Sequence, residues 1–219
     1  PNLPTGVVPM VDLVAGQPFQ NLRAQLNRPA DEVIFMSAGH LTPAMQVETA
    51  LRAFAQLRQT MPAVHYLLVG KVDPTLKLTE LLQGLELQEA VTSLGFVDDV
   101  QMFSNWLATA DVVVNLRYPT IGETSSIAIR ALAAGRPLVV FNHGWYGELP
   151  DDVCLKVPVM DRAALAEAMG RLVQERPLCE RLGQAAEQYI QANHQPHQVA
   201  TRYLTFIEQI LNVISAKLQ

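Results

Sequence analysis

Short runs of β-branched and aliphatic residues alternate along most of the chain with longer stretches of helical period. The runs are nearly continuous in apolar character, and they occupy 33–36, 66–69, 90–94, 111–116 and 137–141, with a weaker one at 153–157. Strands that are apolar on both faces are buried on both faces, which is typical of a parallel sheet covered by helices. The pattern therefore predicts an α/β fold with a doubly wound, Rossmann-like parallel sheet.

The segments between these runs carry apolar stripes at helical spacing. One stripe comprises Val47, Ala50, Leu51, Phe54 and Leu57, and a second comprises Met102, Trp106, Leu107 and Ala110; both are predicted to face the core. A helix is predicted over 127–134, closed by Gly135. From Asp161 onwards the sequence predicts only helices, with caps or first turns at Asp161, Pro177 and Pro196.

The start of the chain differs in composition from the rest. Residues 1–30 are rich in proline, which disfavours a helix, and they are predicted to be an interdomain linker or a remnant of one. Residues 31–219 are predicted to form a single domain. The chain begins with Pro1 rather than Met, which suggests a fragment or a processed product.

Charge and composition narrow the possible partners. Only 17% of the residues are charged and the net charge is -5, so no general basic field is available for nucleic acid. No apolar run reaches the roughly 18 residues of a membrane span. Cys154 and Cys179 lack paired or metal-ligand spacing and are predicted to be reduced, buried or half-buried thiols, which fits a cytoplasmic protein. His194 and His197 lack acidic or cysteine neighbours and are predicted to be surface residues, not metal ligands.

Ligands of a doubly wound sheet bind beyond the carboxyl ends of its strands, so the residues that follow each strand are the candidates. The first strand leads to Gly39-His40, the second to Gly70-Lys71 and the third to 95–97. A glycine at such a place gives a ligand room against the backbone, or simply lets the chain turn.

The segment after the fourth strand is the strongest candidate. Thr124, Ser125 and Ser126 lie where the N-cap of the next helix belongs, and free backbone N–H groups there bind phosphate well. The alternative is that these hydroxyls only cap their own helix. Glu123 would accept hydrogen bonds from sugar hydroxyls beside a phosphate, or it would be an ordinary acid of the first helical turn.

Over 33–211 the order and spacing of the motifs resemble the C-terminal domain of family 4 glycosyltransferases, a two-domain class with the GT-B fold. The matching motifs are Ala53-Phe54, 67–70, Gly95-Phe96-Val97, 110–114, the Glu123 loop, 130–137 and 144–150. Residues 7–12 are similar to the connection that precedes this domain. The resemblance implies that the first, acceptor-binding domain of the family is missing from this sequence.

The resemblance implies transfer of a sugar from a nucleotide diphosphate donor, with retention of configuration and without an essential metal or cofactor. It places Phe96 and Val97 at the nucleobase, Gly39 beside the donor, and Thr124, Ser125 and Ser126 at the diphosphate. Glu123 becomes the candidate catalytic residue at the sugar or phosphate end. The isolated fragment is expected to be inactive because the active site of a GT-B enzyme closes between two domains.

Three positions depart from the family pattern. The family commonly has an arginine and a lysine where this chain has His40 and Met45, and a second glutamate where it has Arg130. His40, Lys71 or Arg117 would then supply the charge opposite the diphosphate. Two other functions remain open. One is a nucleotide-sugar-binding or scaffold domain without turnover, and the other is a sugar-nucleotide epimerase that uses Glu123, Glu148 or His143.

Overall fold

The computed structural model describes residues 9–11 and 18–218, and six parallel strands form one sheet in them. The order of the strands is β3-β2-β1-β4-β5-β6, so the chain reverses direction across the sheet between β1 and β4. This is the doubly wound topology expected from the sequence. The strands are β1 (Val33–Ala38), β2 (Val64–Val69), β3 (Val91–Gly95), β4 (Val112–Val114), β5 (Leu138–Phe141) and β6 (Cys154–Val157).

Eight α-helices connect and cover the strands in the described residues. They are α1 (Val47–Arg58), α2 (Leu78–Gly84), α3 (Val100–Thr109), α4 (Ser126–Ala133), α5 (Trp145–Glu148), α6 (Arg162–Gln174), α7 (Arg176–Asn193) and α8 (Pro196–Leu218). Short 3-10 turns occupy Arg23–Leu26, Pro43–Met45 and Pro74–Leu76. The helices α1 and α6 pack on one face of the sheet, and α3 and α4 pack on the other.

Alternation along β1 shows why the strands are apolar throughout. Val33 and Phe35 face the α1 side, whereas Ile34 and Met36 face the α3 side, and all four are buried. Phe35 lies in an aromatic cluster with Phe54 of α1, whose ring centroids are 6.0 Å apart. Both layers of the core therefore depend on the same short strand.

Helix α4 begins and ends with well-defined caps. The Ser125 hydroxyl accepts a hydrogen bond from the Ala128 N–H at 3.2 Å, and Gly135 follows the helix with a φ of +65°. The Arg136 N–H then donates to the Ala131 carbonyl, the 6→1 bond of a Schellman motif. These caps fix the helix within one residue of its predicted bounds.

Several expectations need correction. Met102 of α3 is 40% exposed, because the buried face of that helix runs through Phe103, Trp106, Leu107 and Ala110. His194, expected at the surface, is 3% exposed, and its Nδ1 lies 2.6 Å from the Met10 carbonyl oxygen. Helix α2 is not among the predicted elements, although Leu78, Leu81, Leu82 and Leu85 form an apolar stripe that packs partly buried against the core.

The described part of the proline-rich segment packs on the domain. Leu22 is buried, and its N–H donates to the Thr109 hydroxyl at 2.7 Å. Arg23 pairs with Asp111 at 3.0 Å. Of the predicted interdomain connection at 7–12, positions 7, 8 and 12 lie outside the described residues. The residues from 18 to 30 are thus anchored to α3 and to the start of β4.

Both cysteines are free thiols, as predicted: Cys154 is buried and Cys179 is half-buried. Burial raises the pKa of Cys154 to about 11, so its thiol stays protonated at neutral pH. No helix in the described ranges is long and apolar enough to cross a membrane.

Candidate functional site

A cavity of about 560 Å³ opens at the carboxyl ends of β1, β2 and β3, beside the start of α4. Its lining combines backbone at glycines, basic side chains and an apolar wall. The lining residues are Gly39, His40, Gly70, Lys71, Phe96, Val97, Asp98, Val100, Phe103, Ile127 and Arg130. This volume lies within the range of small-ligand sites, and the cavity sits at the reversal of strand order where doubly wound sheets bind ligands.

Two glycines form the floor of this cavity. Gly39 and Gly70 both have positive φ values, +105° and +133°. A Cβ at Gly70 would lie 1.8 Å from the Gly39 carbonyl oxygen, so the backbones that leave β1 and β2 touch at this point. A Cβ at Gly39 would lie 3.3 Å from Ile127 Cγ1. Close backbone approach therefore requires glycine at position 70, and the positive φ values favour glycine at both positions.

The charged side chains at the cavity are mostly basic. His40, Lys71 and Arg130 line it together with one acid, Asp98. The Arg130 guanidinium stands 5.8 Å from the centroid of the Phe103 ring. None of Lys71, Arg130 and Asp98 is within ion-pair distance of an opposite charge in the described residues. Lys71 and Arg130 thus remain available to an anion.

The residues at the start of α4 divide into buried and exposed groups. The Ser125 side chain is 7% exposed, and its hydroxyl donates to Asn115 Oδ1 at 2.9 Å while it caps the helix. Tyr146 donates to the same Asn115 oxygen at 2.6 Å. Thr124 is half-buried and Ser126 is exposed. The first N–H groups of the helix lack intrahelical acceptors and can still serve an anion.

This corrects the interpretation of Ser125. The resemblance places its hydroxyl at the diphosphate, but in the structure the hydroxyl is engaged inside the domain with Asn115 and the Ala128 N–H. The Ser125 side chain caps its own helix, which is the alternative given above for this motif. Any ligand contact at this residue would come from its backbone N–H.

Arg117 and Glu123 form an ion pair within the loop that follows β4. The distance from Arg117 Nη1 to Glu123 Oε1 is 2.5 Å. The other carboxylate oxygen, Oε2, accepts from the Thr120 hydroxyl at 2.5 Å and from the Ile121 N–H at 2.9 Å. The Thr120 hydroxyl, the Glu123 N–H and the Arg117 guanidinium, in that order, lower the pKa of Glu123 to about 2. Glu123 is therefore a carboxylate throughout the neutral range.

Met45 does not reach the cavity. Its side chain is 6% exposed and belongs to the core layer beside α1, while its sulfur lies 3.3 Å from Arg117 Nη2. This corrects the direct donor contact expected of Met45. The Met45 sulfur instead faces the Arg117 guanidinium, which belongs to the loop after β4.

The structure gathers the predicted site residues in two neighbouring groups. Six of them line the cavity: Gly39, His40, Lys71, Phe96, Val97 and Arg130. The others, Met45, Arg117, Glu123, Thr124, Ser125 and Ser126, belong to the loops around the start of α4. Among the described residues, no cluster of three His, Cys, Asp or Glu side chains could hold a metal ion.

Sequence reasoning missed several residues of the site. Asp98, Val100 and Phe103 line the cavity, and Asn115 holds Ser125 from beneath. A signal was present for Asn115, because an asparagine directly after three valines is an unusual polar end to a buried strand. Asp98 stands beside Asp99, which caps α3 through the Met102 N–H, and the sequence alone does not tell the two acids apart.

Comparison with known proteins decides the family. The profile of the family described as glycosyl transferases group 1 matches residues 18–189. The chain belongs to the group 1 glycosyltransferases. This confirms the resemblance to the C-terminal domain of these enzymes.

This glycosyltransferase domain spans about half the length of the three proteins that follow. D-inositol 3-phosphate glycosyltransferase of Saccharomonospora viridis is 30% identical over 199 residues, which are 84% of this chain and 45% of that protein. The structure of sucrose-phosphate synthase from Thermosynechococcus elongatus matches with a TM-score of 0.74 at 28% identity, over 89% of this chain and 50% of the other. Anabaena HepE, solved with UDP and glucose, matches with a TM-score of 0.71 at 20% identity, over 89% and 50%.

Proposed function

We propose that the cavity binds a nucleoside diphosphate sugar, the donor of a glycosyl transfer. The observation that carries this proposal is the composition of the cavity. The first N–H groups of α4 lack intrahelical acceptors, Lys71 and Arg130 are basic and form no ion pair within the described residues, and Phe96, Val97 and Phe103 give the lining apolar surface. A nucleotide needs all three, namely backbone donors, cations and an apolar surface for the base.

The order of the strands suggests how the ligand lies. The diphosphate belongs at Gly39 and the start of α4, since Ile127 of that helix borders the cavity beside Gly39. The nucleoside then extends across the end of β2 towards β3. Phe96, which is 75% exposed, and Val97 lie at that end and would contact the base.

Transfer of the sugar to an acceptor, with retention and without a metal or other cofactor, is the second part of the proposal. It follows from the family and from the likeness of the cavity to a nucleotide site. The chain spans about half the length of the relatives it matches, so the acceptor would be held by the other half of a complete protein. We infer that the domain alone binds the donor and does not turn it over.

Glu123 does not suit the acid–base role that an epimerase would require of it. An epimerase needs a group that gains and loses a proton near neutral pH. The pKa of Glu123, held at about 2, keeps this residue ionised in that range, and its oxygens are already occupied. The carboxylate therefore suits an electrostatic or structural task.

A titration tests the binding proposal. UDP, GDP, ADP and CDP are each added to the 219-residue chain in a calorimeter, and the best ligand is then titrated into Lys71→Gln and Arg130→Gln variants. A lost charge-assisted contact costs roughly 1.5–3 kcal/mol, so each variant should bind about 10- to 100-fold more weakly. Arg52→Gln on α1, which pairs with Glu48 at 2.8 Å, is the matched control and should bind normally. Absence of millimolar binding by all four nucleotides would contradict the proposal.

A further inference from the structure

The loop between β4 and α4 is closed around the Glu123 carboxylate. Three donors reach its two oxygens: Arg117 Nη1, the Thr120 hydroxyl and the Ile121 N–H. A carboxylate offers about four acceptor positions, so little capacity remains for a ligand. The side chain is 34% exposed, and the contacts bind it to its own loop.

Arg117 is held on two sides. One terminal nitrogen donates to Glu123, and the other lies 3.3 Å from Met45 Sδ. A guanidinium is planar and rigid, so two fixed nitrogens define the direction of its remaining N–H groups. Nη1 and Nη2 each carry a second N–H, and the side chain is 31% exposed. The guanidinium is therefore restrained and still within reach of a ligand.

The same guanidinium lies close to the start of α4. Its partner Glu123 stands two residues before Ser125, the N-cap of α4. Arg117 and the free N–H groups of α4 thus border one region beside the cavity. A cation and a helix start together favour an anion.

We propose that Glu123 is a positioning residue that acts through Arg117, by fixing the guanidinium where it binds the diphosphate end of the donor. The inference rests on the proposed function and adds the source of one phosphate-binding cation. Met45, an uncharged side chain, contacts the guanidinium at Nη2. A cationic side chain at position 45 would repel the guanidinium, whereas a thioether accepts a weak hydrogen bond from it.

Positioning and simple neutralisation make opposite predictions. If Glu123 only offsets the charge of Arg117, its removal leaves a more positive site, which binds a diphosphate more tightly and with steeper salt dependence. If Glu123 fixes the guanidinium, its removal weakens binding because the planar group loses its direction. If Glu123 contacts the donor itself, its removal weakens binding whether or not Arg117 is present.

A double-mutant cycle separates these cases. UDP and GDP are titrated into wild type, Glu123→Gln, Arg117→Gln and the double variant, with Glu48→Gln as a control for loss of a remote carboxylate that pairs with arginine. We expect Arg117→Gln to weaken binding about 10- to 100-fold and Glu123→Gln about 3- to 30-fold. The double variant should bind within about twofold of Arg117→Gln, since contacts that act as a unit are not additive. Glu48→Gln should bind like wild type.

A milder substitution in the same loop tests the positioning role with less risk of unfolding the domain. Thr120→Ala removes one donor to Glu123 Oε2 and leaves every charge in place. It should weaken binding a few fold, and only while Arg117 is present. Tighter binding by Glu123→Gln, or the same loss with and without Arg117, would overturn the positioning role while nucleotide binding by wild type stands. Absence of binding by wild type would instead overturn the proposed function and this inference with it.

Discussion

Replacing Ser125 by alanine tests whether this serine holds the domain together or contacts the ligand. The hydroxyl caps α4 through the Ala128 N–H and donates to Asn115 Oδ1, and the side chain is 7% exposed. Loss of an N-cap costs about 0.5–2 kcal/mol, and loss of a buried hydrogen bond about 0.5–1.5 kcal/mol. Asn115 Oδ1 keeps its bond from Tyr146, which limits the damage.

We expect Ser125→Ala to lower the free energy of unfolding by about 2 kcal/mol. For a chain of this size, this corresponds to a fall of about 4–8 °C in melting temperature. Urea unfolding followed by circular dichroism provides the free energy. Ser126→Ala is the matched control, because that serine is exposed at the next position and should change stability by less than about 0.5 kcal/mol.

Nucleotide binding measured on the same variant completes the test. With the fold retained, the backbone N–H of residue 125 is still present, so affinity should fall no more than a few fold. Unchanged stability together with binding more than about 10-fold weaker would contradict a capping role for the Ser125 hydroxyl. The hydroxyl would then face the ligand.

Two further predictions concern packing and pH. Gly183→Ala should destabilise the domain by about 1–3 kcal/mol in urea unfolding, because its Cβ would lie 2.5 Å from the Gly135 carbonyl oxygen. In the control Gly84→Ala, the new Cβ meets no atom within 4 Å, so this variant should be more stable by about 0.4–1 kcal/mol. Equal changes in the two variants would contradict the packing argument. Burial, aided by the Arg28 charge, lowers the pKa of His65 to about 4. The neutral ring therefore contributes its full stability above the unfolded-state pKa of about 6.5, and this contribution is lost as the pH falls towards 4. Between pH 7 and pH 5 the free energy of unfolding of wild type should fall by about 2 kcal/mol more than that of His65→Gln. Parallel plots of unfolding free energy against pH for the two proteins would exclude this role of His65.

The fold could be predicted from the sequence because its strands and main helices are encoded locally. The apolar runs of the strands need no distant partner to be recognised, and Ser125 and Gly135 mark both ends of α4. Helix α2 could also be predicted from local spacing, because its leucines at 78, 81, 82 and 85 form a stripe that packs partly buried against the core. Met102 was misplaced because the true face of α3 depends on where β4 and α4 lie.

Only those residues of the site that lie at or just after the ends of strands could be predicted from the sequence. Gly39, Lys71 and Phe96 follow strands directly, and the topology alone brings them to one cavity. The environments of Met45 and Ser125 depend on Arg117 and Asn115, which other parts of the chain supply. No local pattern encodes such pairings, so whether a side chain is buried or faces the ligand could not be predicted at these positions.

The central claim is that a nucleoside diphosphate occupies the cavity at the ends of β1, β2 and β3. Mapping of amide chemical shifts on the ¹⁵N-labelled chain, during titration with UDP and then GDP, tests it most directly. We expect the largest shifts at Gly39, Gly70, Phe96 and the N–H groups at the start of α4. Shifts centred instead on the separate groove between α1 and α6, at Gln56, Thr60 and Gly170, would contradict it.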